Sequence, residues 1–182
     1  MNVKNAMEQH LKTVLKDRNI KPCLSLKDSS IFYIDDSTEQ KKCIILDEVE
    51  NASEFLKIIN PNKKTLFLLA VDGCFFGDGK PPKRCDCIFF DDIIFCFAEL
   101  KFKSFTEHLD NIENNRKDAI TQLLLTIDFF DKRLNNNYLN FNKEAYVCTP
   151  VHYPNKNTAL DAFAIQFSDL GITLIESNEK TF

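Results

Sequence analysis

Two apolar runs, Cys85-Asp86-Cys87-Ile88-Phe89-Phe90 and Ile93-Ile94-Phe95-Cys96-Phe97-Ala98-Glu99-Leu100-Lys101-Phe102, are interrupted only by Asp86, Glu99 and Lys101. A strand with one wet face alternates apolar and polar residues, whereas one covered on both faces is apolar throughout. These strands are therefore expected to be buried on both faces. A tight turn on Asp91-Asp92 pairs Phe90 with Ile93, Ile88 with Phe95 and Asp86 with Phe97, so that Asp86 and Glu99 become diagonal neighbours on one face. Alternation adds Lys101 to that face.

Periodicity places other elements around this hairpin. Residues 4–16 read as an amphipathic helix, and residues 30–34 and 42–46 as short strands. Asp47 and Glu50 resemble a capping box, and Val49, Ala52, Phe55, Leu56 and Ile59 keep helical spacing until Pro61, which predicts a helix there. A strand over 65–71 leads into a loop with Gly73, Gly77, Gly79, Pro81 and Pro82. Over 106–134 the period becomes 3.6, with Leu109, Ile112, Ala119, Ile120, Leu123, Leu124, Ile127 and Phe130 on one face of a long helix. A strand over 144–149, a helix over 158–167 and a strand over 172–175 complete the chain. The expected fold is α/β, a mixed β-sheet flanked by helices. With 182 residues, no repeat and no linker, residues 1–182 form a single domain.

The 17 Phe and absent Trp predict a phenylalanine-rich core, far from the composition of disordered chains. No segment has the apolar length of a membrane span or a secretory leader, so a soluble, cytoplasmic protein with no membrane partner is expected. The seven cysteines are odd in number and several sit in apolar runs, which suggests free thiols in a reducing compartment. The net charge of −4 is unusual for a partner of nucleic acid, but Lys80-Pro81-Pro82-Lys83-Arg84 is locally basic and lies directly before Asp86.

An isolated carboxylate in a buried strand is costly unless neutralised, paired or bound to metal. Two at this separation repel, and Mg²⁺ or Mn²⁺, which prefer oxygen ligands, would satisfy both, with the Leu100 carbonyl as a further donor. Such a centre suits phosphodiester hydrolysis, with Lys101 orienting or helping to deprotonate the attacking water.

At these residues the sequence resembles the PD-(D/E)XK nuclease superfamily, whose core runs αβββαβ, with an acid on the second strand and E-x-K on the third. Asp86 matches the first acid and Glu99-Leu100-Lys101 the E-x-K, with Cys85 where the family commonly has Pro. The resemblance covers residues 47–149, and residues outside it add an N-terminal helix and short strands to this core. It implies a restriction-endonuclease-like fold and a metal-dependent nuclease acting on DNA rather than RNA, in a bacterial defence or restriction setting, with an oligomer or partner protein. Glu48 would be the acid of the first helix, and Gln122 looks like the helical Gln of RecB-like members. E-x-K alone carries little information, since roughly one chance match is expected and Glu39-Gln40-Lys41 is such a match.

Alternatives stand beside these readings. Asp86 and Glu99 could form cross-strand ion pairs with Arg84 or Lys101 without metal. Arg116, at the centre of the apolar stripe, could reach a phosphate or an active-site carboxylate, or cover apolar surface with its head in solvent. Gln122 could face substrate or lie on an ordinary polar edge. Asp72 could be an additional acid or a turn residue, and Lys83 and Arg84 could contact substrate phosphates. Cys85 and Cys87 invite a zinc reading but lack a second ligand pair. From another class comes a catalytically silent nuclease-like domain that binds nucleic acid or a partner protein.

Overall fold

The computed structural model describes residues 21–76, 83–104, 107–134, 141–154 and 158–182. The helix expected over 4–16, most of the glycine loop, including Lys80, and the Asn135-Asn136-Asn137 turn lie outside these residues. Among the described residues ten strands form two sheets: β1 (Leu24–Lys27), β2 (Ile31–Ser37), β3 (Lys42–Leu46), β4 (Leu56–Ile59), β5 (Leu66–Ala70), β6 (Cys87–Phe90), β7 (Ile94–Leu100), β8 (Asn142–Cys148), β9 (Ile172–Glu176) and β10 (Glu179–Thr181). Among the same residues two α-helices accompany them, α1 (Leu109–Leu134) and α2 (Thr158–Asp169). The fold is mixed α/β. None of the described helices is long and apolar enough to cross a membrane.

The larger sheet has the order β1-β5-β6-β7-β8-β9, antiparallel from β1 to β7 and parallel from β7 to β9. Its central strands are buried on both faces because a layer lies against each. On one side Phe67, Leu69, Ile88, Phe90, Phe95 and Phe97 meet Ala119, Ile120, Leu123, Ile127 and Phe130 of α1. On the other, Leu66, Leu68, Cys87, Phe89, Cys96 and Ala98 meet Phe32, Ile34, Leu56 and Ile58 of the smaller sheet, ordered β10-β4-β2-β3. The phenylalanines of the helix-facing layer run as a ladder, with centroids 5.3 Å apart for Phe67–Phe90, 5.4 Å for Phe90–Phe95 and 5.2 Å for Phe95–Phe97. Those spacings are the favourable range for aromatic pairs.

The expected helix from Asp47 to Pro61 is not formed. A short 3-10 turn, Ala52–Glu54, is capped by Asn51, whose Oδ1 accepts from the Ser53 N–H at 3.3 Å, and the chain then extends into β4. Leu56 and Ile58 fit a period of two as well as one of 3.6, and a slot between β2 and β10 settles the choice. Glu48 therefore lies on no helix and is exposed in the link between β3 and that turn.

The hairpin register also differs from expectation. Phe90 pairs with Phe95, Ile88 with Phe97 and Cys87 with Ala98. The cause is Asp91, whose Oδ1 accepts the N–H groups of Ile93 at 2.7 Å and Ile94 at 2.6 Å, while Lys64 reaches its Oδ2 at 3.2 Å. This side-chain turn lengthens the loop. A shift of two positions keeps every side chain on its expected face, whereas a shift of one would have reversed them all.

Cys23 and Cys74 are joined in a disulfide with Cα atoms 5.6 Å apart, so the expectation of free thiols fails for this pair. Cys43, Cys85, Cys87, Cys96 and Cys148 are free and buried. Cys74 belongs to the turn Val71–Phe75, whose Gly73 has φ +71°; a Cβ there would lie 1.8 Å from the Lys41 carbonyl oxygen. Backbone that close cannot move aside as a side chain can. Gly73→Ala is expected to destabilise the protein by about 2 kcal/mol or more, from the left-handed conformation and the clash together. A urea midpoint equal to wild type would show that the turn has no such close approach.

Candidate metal centre at the end of the hairpin

The site lies where β6 begins and β7 ends. Beyond the Cys87–Ala98 pair the ladder gives way, and the Asp86 carbonyl accepts from both Val71 N–H at 2.8 Å and Asp72 N–H at 3.3 Å, a bulge that brings the Asp72 turn alongside. Asp86 reaches across the hairpin, and its Oδ2 accepts the Leu100 N–H at 2.6 Å. Burial, then the charge of Glu99, raises the Asp86 carboxyl well above its ordinary range, against the lowering effect of the Leu100 N–H.

Glu99 is 2% exposed. Its Oε1 lies 2.7 Å from Lys101 Nζ, while its Oε2 is buried without a hydrogen-bond partner among the described residues. Burial pushes its pKa up to about 7, although Lys101 pulls the other way. Lys101 is also 2.9 Å from Asp118 Oδ2 on α1. Burial alone would weaken the ammonium, but Glu99 and Asp118 hold its pKa above the ordinary lysine value. Lys101 is thus a fixed cation between two carboxylates. The Lys101 N–H donates to the Cys148 carbonyl at 2.7 Å, which fixes its backbone to the end of β8.

The structure brings Asp86, Glu99, Leu100 and Lys101 together. Asp72 lies near enough for its charge to raise Glu99. Gln122 is buried and donates to Asp118 Oδ2 at 2.8 Å, so it is no ordinary polar edge and is tied to the carboxylate that holds Lys101. Lys83 is exposed, and its charge lowers Asp118. Arg84 turns toward α1, 5.2 Å from the Phe76 ring.

Arg116 has neither role expected of it. Its guanidinium is 1% exposed and committed to Glu176 (Nε to Oε1, 2.9 Å), Glu113 (3.2 Å) and the Pro154 carbonyl (2.7 Å). Cys85 and Cys87 are core residues, and the Cys85 N–H donates to Thr126 Oγ1 at 2.8 Å.

Two acids escaped the sequence reading. Asp36 follows Phe32 and Ile34 on the inward face of β2, where burial raises its pKa, with Lys103 opposing and Asp35 and Asp72 adding to the rise. Its charge also raises Asp86. The alternation Phe32, Ile34, Asp36 was the available signal. Asp118 could have been found from its i,i+4 relation to Gln122, but nothing local pointed to Lys101. An open cleft of 610 Å³ is bordered by Asp35, Phe55, Phe102 and Lys103, and none of Asp86, Glu99 and Lys101 lines it.

Among the described residues no three His, Cys, Asp or Glu side chains form a ready metal cage. Mg²⁺ keeps several waters and often takes only one or two carboxylates from the protein. The orphaned Glu99 Oε2 beside Asp86 fits that mode of binding. No family model matches the chain, and no curated protein or solved structure matches it.

Proposed function

We propose that this chain is a metal-dependent nuclease hydrolysing phosphodiester bonds of nucleic acid, DNA in the first instance, with Asp86, Glu99 and Lys101 at its centre. The observation that carries this reading is Glu99, a buried carboxylate with one oxygen on Lys101 and the other without a partner, beside a second carboxylate that it repels. Such an arrangement is costly unless a cation or proton joins it. The order of three antiparallel strands, α1 and a parallel strand supports the reading, since it is the βββαβ part of the core that the resemblance implies.

Asp86 and Glu99 would hold Mg²⁺ or Mn²⁺, with the Leu100 carbonyl as a further oxygen donor. Bound there, the ion supplies charge neutralisation and a water of lowered pKa. Lys101 keeps its ammonium beside Glu99, where it can orient a water or meet a phosphate oxygen. Asp118 and Gln122 hold that ammonium in place. Lys83 offers an exposed positive charge to the phosphate backbone.

A second reading, a silent domain that binds without cutting, is favoured by the ion pairs of Lys101 with Glu99 and Asp118, which already supply a counter-charge. Incubating the protein with circular DNA, linear DNA and RNA, in Mg²⁺, Mn²⁺ or EDTA, separates the two. Cleavage is expected with either metal and none in EDTA, and Lys101→Ala or Glu99→Ala should lower the rate on the order of a hundred- to a thousandfold. Wild-type rates in Lys101→Ala would remove this residue from the chemistry, and inertness on every substrate would leave the silent reading.

A further inference from the structure

The Cys23–Cys74 disulfide stands at the end of β1 and β5 that faces the candidate centre. Leu24 pairs with Leu69, so the bond adds a covalent rung just beyond that ladder, into the turn Val71–Phe75. The other side of the turn is tied to the centre, because the Val71 and Asp72 N–H groups donate to the Asp86 carbonyl. Asp72 acts on its surroundings by charge, raising both Glu99 and Asp36. Apart from the bond, residues 21–27 are lightly held. β1 is a four-residue edge strand paired with β5, its Ser25 and Leu26 are exposed, and Lys42 Nζ meets the Pro22 carbonyl at the surface at 3.2 Å. Short edge strands of this kind open readily.

The bond is also where a thiol can act on this chain. Cys43, Cys85, Cys87, Cys96 and Cys148 are all buried, and burial pushes the thiols of Cys85, Cys96 and Cys148 up, which leaves them unreactive. Cys74 is partly exposed, whereas its partner Cys23 is buried. An incoming thiolate therefore meets the Cys74 sulfur, forms a mixed disulfide with it and expels Cys23 as a thiolate, which takes up a proton. A second thiol displaces Cys74 from the mixed disulfide. Two electrons and two protons pass from the two external thiols, which leave joined as a disulfide.

We propose that the Cys23–Cys74 disulfide is a thiol-reversible latch that sets the position of Asp72 beside the metal centre. Closed, it clamps the turn Val71–Phe75 between the edge strand β1 and the Asp86 carbonyl. Opened by a small or protein thiol, it releases residues 21–27 from β5 and lets the turn shift against Asp86, while Phe75 remains seated among Phe129 and Phe130. The fold persists in both states because the layers around β6 and β7 do not depend on the bond. The consequence for metal rests on the proposed centre, and the opening itself does not.

The test compares the full chain oxidised with glutathione disulfide and the same chain reduced with dithiothreitol and then freed of it, both in EDTA. Unfolded without reductant, the oxidised protein should show five free thiols among its seven cysteines, and seven would overturn the latch. On reduction, amide hydrogen exchange should quicken about tenfold or more at Leu24–Lys27, Val71 and Asp72, while residues 120–127 of α1 stay protected over about an hour. A bond that only stabilises the whole fold would quicken α1 as well. That result, or equal exchange in the two forms, would overturn the latch. With EDTA removed, the reduced form should bind Mn²⁺ about three- to tenfold more weakly, the effect of moving one nearby charge. Binding of Mn²⁺ with equal affinity by both forms would overturn the link to the centre. Cys74→Ser should match the reduced form and ignore dithiothreitol, and the wild-type comparison carries the test if that variant does not fold. If neither form binds Mn²⁺, the metal reading falls and exchange at Val71 and Asp72 decides the latch alone.

Discussion

Arg116→Ala is expected to destabilise the fold by about 3–5 kcal/mol, the range for removing one partner of a buried ion pair. The guanidinium lies inside the protein, with Glu176 taking two of its bonds at 2.9 and 3.3 Å, Glu113 one at 3.2 Å and the Pro154 carbonyl one at 2.7 Å. Tyr153 packs over it at 5.7 Å. Truncation removes the guanidinium from two carboxylates and a carbonyl and opens a cavity beside them, while the Thr149 hydroxyl still donates to Glu176. Arg116→Lys should also lose much of this, because a single ammonium cannot reproduce the fork. Urea unfolding checks both; a loss under 1 kcal/mol in the alanine variant would mean that the network is not formed in solution.

The second large effect is one of pH and metal together. In EDTA, stability should fall as pH rises from about 4.5 to about 7, by something on the order of 3 kcal/mol from Glu99 alone. The sign follows from the raised folded-state pKa. Between those values the folded protein still holds a proton that the unfolded chain has released, so raising the pH favours unfolding until Glu99 ionises in the folded state too. Asp86, also raised, adds in the same direction. On the proposed function a divalent ion would replace the proton, so Mn²⁺ should stabilise little near pH 5 and most above pH 7, with affinity rising about tenfold per pH unit for each proton displaced. Glu99→Gln should flatten the EDTA profile. A flat profile in the wild type would show that Glu99 is solvated or ionised at all these pH values.

The hairpin was legible because apolar residues on both faces leave few alternatives, and because the polar exceptions fell at alternating positions that survive a register shift of two. The turn itself was not legible, since Asp91 acts through its own side chain and makes the loop longer than the shortest one. Half of the smaller sheet, β2 and β3, was read as short strands, whereas β4 and β10 escaped for separate reasons. Leu56, Ile58 and Ile59 suit either period, and Glu179-Lys180-Thr181 has no apolar residue to mark it as a strand. Lys180 is nevertheless buried, because Glu144 on β8 accepts its ammonium at 2.7 and 2.8 Å. At the centre, Asp86, Glu99 and Lys101 were visible as neighbours along one hairpin, whereas Asp36 and Asp118 come from other layers and depend on tertiary packing. Arg116 was visible as an oddity in an apolar stripe, but its partner lies 60 residues away.

The pairing of β10 with β4 sets an order of events during synthesis. Lys57 meets Glu179 across 122 positions, and the inner layer is completed by Phe182 against Phe89. Until that late segment emerges from the ribosome, β4 has an open edge, Glu144 lacks Lys180 and the lid over the hairpin is unfinished. By then β2, which bears Asp36, already has both its neighbours, so the late step closes the outer edge of this sheet and the pairing of Glu144 with Lys180 rather than the place of Asp36.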